Sequence, residues 1–118
     1  MKRDWELIRC LLLHFEGDES DALDKYDATL IMEHARLLTE AGFLKDISFQ
    51  KNNVGAIAGM RPYGYCNLTM TGYDLLDSIR EPDIWAKVFA IIKEHGGEMA
   101  ANIVFKLAQK FIEAKLGL

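Results

Sequence analysis

An α+β fold is predicted by three observations. Apolar residues recur at helical spacing from Trp5 to Phe15 and from Leu30 to Ala41, in two runs separated by an acidic stretch. From Leu44 the period changes to two, and a glycine-rich insert divides one alternating run from another, as in a β-hairpin. Helical spacing then returns near Tyr73 and holds to Leu116. That order of helices and hairpin is the order of a winged helix (winged helix-turn-helix-like), here with a β-hairpin wing and two additional C-terminal helices. At 118 residues one domain over residues 1–118 is expected, with a core over 1–80, the wing at about 43–69 and a helical extension over 82–118.

The first helix, over residues 4 to 15, carries Trp5, Ile8, Leu11, Leu12 and Phe15 on one face, with Asp4 and Glu6 in the turn where the helix dipole favours negative charge. Gly17 to Asp27 offers Leu23 and Tyr26 as anchors for a short strand or one helical turn, too little for a full helix. Asp27 is placed to cap the next helix, whose inward face is Leu30, Ile31, His34, Leu37, Leu38 and Ala41 and whose end is set by Gly42 in the left-handed C′ position. Thr29, Met32, Glu33, Arg36, Thr39 and Glu40 face outward.

Ile47 and Phe49 then alternate with Asp46, Ser48 and Gln50. Cys66 and Leu68 alternate with Asn67 and Thr69 on the return, leaving Lys51 to Gly64 as a long hairpin tip. Thr71-x-x-Asp74 fits a capping box for a helix through Tyr73, Leu76 and Ile79, which Glu81-Pro82 ends. Pro82 suits the first turn of another helix, with Ile84, Trp85, Val88, Phe89 and Ile92 inward and Gly96-Gly97 as its stop. The last helix, from about Glu98 to Leu116, gathers Ala100, Ile103, Val104, Leu107, Ala108, Phe111 and Ile112 on one stripe.

Half of the residues are hydrophobic and 27% are charged, which excludes a disordered chain. Met1-Lys2-Arg3-Asp4 runs into an amphipathic helix instead of an apolar run, so a cytoplasmic protein with neither signal peptide nor membrane span is expected. Cys10 and Cys66 have no C-x-x-C partner and no His at zinc spacing, so both read as buried thiols, with no metal site and no cofactor. The net charge of −4 excludes binding to nucleic acid by bulk attraction alone; a local basic surface would be required.

No nucleophile with a base, no carboxylate pair and no metal cluster is legible, so an enzyme is not expected. His34 falls on a core face and reads as a structural histidine with its polar atoms satisfied. In a winged helix the helix before the hairpin enters the major groove and the wing reaches phosphates or the minor groove. The residues so placed are Thr29, Met32, Glu33 and Arg36 on the helix and Lys51, Asn52, Asn53 and Arg61 on the wing. Over residues 47 to 71, Lys51 and Arg61 are the only charges, whereas the helix face has two glutamates around Arg36, where an intrahelical ion pair is the plainer reading. Val54, Ala56, Ile57, Ala58 and Met60 make the wing apolar, as suits a protein contact or packing on the domain's own body. Ile103, Leu107 and Phe111 on the last helix would serve internal packing or a homodimer.

Met1-Lys2-Arg3-Asp4-Trp5-Glu6-Leu7-Ile8-Arg9, His34-Ala35-Arg36-Leu37-Leu38-Thr39-Glu40-Ala41-Gly42-Phe43-Leu44, the segment from Leu68-Thr69-Met70-Thr71-Gly72 through Arg80, and Ile84-Trp85 together resemble a family of small bacterial and prophage proteins catalogued as a domain of unknown function. The resemblance implies a winged-helix-like fold and a mobile-element setting, and it supplies no catalytic residues. Two functions are therefore expected in competition. One is a small non-enzymatic phage or prophage regulator that binds double-stranded DNA and controls transcription. The alternative is a protein-interaction module that engages a host or phage protein. If Lys2, Arg3, Arg36, Lys51 and Arg61 converge, DNA binding gains; if Glu33 and Glu40 stand between them, it loses.

Overall fold

In the computed structural model, which describes residues 2–118, five helices and one hairpin form an α+β chain. The Asp4 carboxylate accepts the Leu7 N–H at 3.1 Å and starts α1 (Trp5–Glu16), which Gly17 closes. The acidic stretch forms neither strand nor helix but two overlapping turns, with the Asp24 N–H donating to Asp21 O and the Tyr26 N–H to Leu23 O. Asp27 takes the cap position of α2 (Ala28–Glu40), but its side chain makes no cap hydrogen bond. Gly42, at φ +85°, ends that helix in the left-handed conformation that a side chain would strain.

The hairpin pairs β1 (Ile47–Lys51) with β2 (Ile57–Pro62), antiparallel and with a bulge at Gln50/Lys51. The expected return strand at Cys66 to Thr69 is thus displaced: only Leu68 pairs there, with Leu44, as an isolated bridge. The cause is a tight turn. The Asn52 side-chain oxygen accepts the N–H groups of Val54 and Ala56 at 3.0 Å each, the Asn52 N–H donates to Ala56 O, and Gly55 takes φ +83°. The chain therefore reverses within Asn52–Ala56, and Ile57 to Pro62 are ladder residues, not tip.

Helix α3 (Met70–Ile79) begins two residues earlier than a cap at Thr71 would start it. Thr69 is its cap: Oγ1 accepts the Gly72 N–H at 3.0 Å and donates to Gly42 O at 2.5 Å. Thr71 is exposed. Thr69→Ala is therefore expected to lower stability by about 1–2 kcal/mol, and Thr71→Ala by less than about 0.5 kcal/mol, read by urea denaturation. The reverse order would return the cap to Thr71.

Pro82 occupies the first turn of α4 (Pro82–Glu94), and α5 (Ala101–Leu116) starts later than the expected Glu98. One apolar cluster takes Trp5, Leu11 and Leu12 from α1, Leu38 from α2, Leu75, Leu76 and Ile79 from α3, Ile84, Val88 and Ile92 from α4, and Val104 and Ala108 from α5. Ile47 of β1 joins it and Phe49 packs against it, which ties the base of the hairpin to the helices. His34 is fully buried and satisfied, its Nε2 accepting the Asp4 N–H and its Nδ1 donating to Leu30 O, both at 2.9 Å.

Candidate nucleic-acid interface

Glu33, Arg36 and Glu40 stand three and four residues apart on α2, a spacing that brings helical side chains together. Arg36 donates through Nη2 to Glu33 at 2.9 Å and through Nη1 to Glu40 at 2.7 Å. The Glu33 contact, then the Glu40 contact, raises the guanidinium pKa above its ordinary value. Arg36 is the only Lys or Arg on α2, so a polyanion approaching this face would meet two carboxylates around an occupied cation. Thr29 is exposed and Met32 half-buried on the same helix, while the Thr39 hydroxyl bonds back to Ala35 O at 2.8 Å.

The hairpin is different. Lys51, Asn53 and Arg61 are exposed, and neither cation has an ion-pair partner among the described residues. Arg61 lies opposite Ser48 and Lys51 opposite Ile57, so the two charges are spread along the wing. Asn52 is exposed at the turn, with its side-chain oxygen committed to the N–H groups of Val54 and Ala56. Lys2 lies against Gly97, and Arg3 is paired with Glu98 at 2.7 Å, both beside the loop between α4 and α5. The five cations weighed from the sequence do not make one unpaired array.

The expected apolar wing is divided by burial. Val54 at the turn is 86% exposed, whereas Ile57 is 7% exposed and Met60 packs against the core. Ile57→Asp would therefore bury a carboxylate beside the hairpin turn. On α5, Val104 and Ala108 are fully buried, Leu107 and Phe111 pack against the cluster, and Ile103, expected on the same stripe, is 40% exposed. The stripe's centre thus serves the chain's own core.

Sequence reasoning missed Tyr63 and Tyr65, which leave the end of β2 with Tyr63 59% exposed and Tyr65 fully exposed. The pattern Pro62-Tyr63-Gly64-Tyr65, two aromatics alternating with loop formers, was the available signal. Cys66 beside them is half-buried, not buried as expected. Its sulfur lies 3.3 Å from the Tyr73 hydroxyl, a contact that lowers the thiol pKa and raises that of the phenol. Cys10 is buried, which pushes its thiol pKa up. Among the described residues no group of three His, Cys, Asp or Glu is placed to hold a metal ion, and no helix is long and apolar enough to cross a membrane.

A family model described as "Hypothetical protein (DUF2513)" matches residues 2–98. The chain belongs to the DUF2513 family. An uncharacterized protein of Haemophilus influenzae (strain KW20 / Rd) is 29% identical over 124 residues, spanning 98% of this chain and 99% of the relative. No solved structure matches the chain. The region matched to DUF2513 includes α1 to α4 and the hairpin, and stops before α5. Within it the segments that carried the resemblance have structural work. Trp5 donates its indole N–H to Met99 O at 2.8 Å, and Arg9 donates to the carbonyls of Ile79 and Arg80 at the end of α3. Leu68 fills the core, Thr69 caps α3, and Gly72 lets the Phe43 carbonyl approach.

Proposed function

We propose that this DUF2513 protein is a small, non-enzymatic, winged-helix-like regulator that contacts nucleic acid through its wing, Ile47–Pro62, and not through α2. The observation that carries this reading is the contrast between two sets of cations. Arg36 is held by two glutamates, whereas Lys51 and Arg61 stand exposed and unpaired on the hairpin. Three cations, Lys45, Lys51 and Arg61, face a single carboxylate, Asp46, between residues 44 and 73 of a chain with net charge −4. Unpaired positive charge on the hairpin steers a polyanion to that element and away from the acidic remainder. The helix order and the hairpin are consistent with a winged helix, in which that element is the wing.

Fluorescence anisotropy with a labelled mixed-sequence duplex, at low and physiological salt, tests it. Binding is expected to weaken with salt, and the Lys51→Ala/Arg61→Ala double variant to lower the log–log salt slope by about 2, one unit for each phosphate left without its cation. Arg36→Ala is expected to leave binding unchanged. Absence of binding at low salt, to the duplex and to its single strand alike, refutes the reading and favours the protein-interaction module. The observation on that rival's side is the exposure of Val54 and Met70, at 86% and 83%.

A further inference from the structure

The segment Pro62–Asn67 is a built loop that holds two aromatic rings in water. Its first residue continues the ladder: the Tyr63 N–H donates to Asp46 O at 2.8 Å, one position beyond the Ile47–Pro62 pair. Arg61 and Tyr63 are two residues apart in extended chain and so project from the same face of the hairpin, beside Ser48. The return is fixed by the Asn67 side-chain amide, which donates to the carbonyls of Lys45, Asp46 and Tyr63 at 3.1 Å each. Two left-handed residues face each other across it. Gly64 has φ +80°, and Asp46, the only non-glycine residue at positive φ among those described, has φ 58°. The Asp46 carboxylate lies against Gly64.

Strained backbone and a three-way amide anchor in a surface loop mark a position that the fold holds in one shape. What that shape presents is Tyr63 and Tyr65, large aromatic residues of which the first is more than half exposed and the second fully exposed. The charges at hand are Arg61 on the same face, Lys45 and Asp46 at the anchor and Lys51 along the wing, a balance that favours an anionic occupant. An occupant that is anionic along its backbone and offers flat π-faces satisfies both features. Paired bases cover their faces on one another and expose only edges in the grooves, whereas unpaired bases stack on exposed aromatic side chains.

We infer that Tyr63 and Tyr65 form a stacking platform for unpaired bases of a single-stranded nucleic acid whose phosphates lie along Arg61 and Lys45. This rests on the wing reading above and narrows it to a substrate class. The tyrosine rings supply stacking, and the fixed loop lowers the ordering cost that mobile side chains would carry. Because every base has a π-face, sequence preference at the platform is weak.

The test is anisotropy with one labelled 20-nucleotide mixed-sequence single strand and with its duplex. The proteins compared are the wild type, Tyr63→Ala/Tyr65→Ala, Tyr63→Phe/Tyr65→Phe and Lys51→Ala/Arg61→Ala. The expected result is tighter binding of the single strand than of the duplex. The alanine pair should weaken the single strand by about 10-fold or more while the phenylalanine pair retains it. Circular dichroism of the exposed-tyrosine variants is expected to match the wild type, which separates loss of the platform from loss of the fold. Duplex binding that depends on Lys51 and Arg61 but not on the tyrosines, with no preference for the single strand, overturns the platform and leaves the wing reading standing. No binding of either probe overturns both and assigns the rings to a protein partner.

Discussion

Gly72→Ala is expected to lower stability by about 3 kcal/mol or more, although alanine is the better helix former by about 1 kcal/mol. Gly72 lies in the first turn of α3, and a Cβ built on it would meet the Phe43 carbonyl oxygen at 2.0 Å, with the carbonyl carbon at 3.0 Å. Both are backbone atoms, so no rotamer change relieves the clash. That carbonyl cannot withdraw freely, because it accepts the Thr69 N–H at 3.2 Å while the Phe43 N–H donates to Leu38 O at 2.8 Å. Either α3 moves away from the end of α2, taking the Thr69 cap with it, or the Leu44–Leu68 bridge opens. Thermal denaturation of Gly72→Ala beside Thr71→Ala measures this. A fall in Tm of about 10 °C for the first and almost none for the second is expected. An unchanged or higher Tm for Gly72→Ala would mean that helix propensity outweighs the contact and that the two helices are not held this closely.

The same junction shows what was legible in the sequence and what was not. The helices, the Gly42 stop and the buried His34 follow from spacing within one segment, and spacing is what a sequence displays. The cap of α3 was misplaced because Thr69 and Thr71 are both eligible locally. What decides between them is a partner 27 residues away, the Gly42 carbonyl that takes the Thr69 hydroxyl. The return strand was misplaced for a related reason: Ala58 and Gly59 obscure the alternation of Ile57 to Pro62, and register was set by the Asn52 turn and the bulge. At the candidate site, the Glu33–Arg36–Glu40 clasp could be read from helical spacing. The exposure of Tyr63 and Tyr65 could not, since it depends on how Asn67 and Asp46 fold the loop away from the core. Ile103 went to the wrong face for want of two neighbours, Ala101 and Phe105, that share the actual inward side with Val104 and Ala108.

Truncating Trp5 to alanine is expected to remove about 3–5 kcal/mol, a large share of the stability of a marginal domain. The ring is 2% exposed and belongs to the central cluster, and its Nε1–H is the donor that holds Met99 O at 2.8 Å. Its neighbours reinforce the same junction: Arg3 pairs with Glu98, and the Asp4 N–H is accepted by His34 of α2. The start of α1 thus fastens both α2 and the connection from α4 to α5. Trp5→Phe keeps most of the apolar volume but leaves Met99 O without its donor, so an intermediate loss of about 1–3 kcal/mol is expected. Trp85 remains in both variants, stacked on Phe89 at 5.2 Å, so urea unfolding can still be followed by its fluorescence. Equal losses for alanine and phenylalanine would assign the effect to the hydrogen bond, and the graded order expected here assigns it chiefly to packing. A loss below about 1 kcal/mol for Trp5→Ala would mean that the connection to α5 contributes little to the fold, consistent with a family match that stops at residue 98. The graded loss would instead make α5 part of the core, as the burial of Val104 and Ala108 requires.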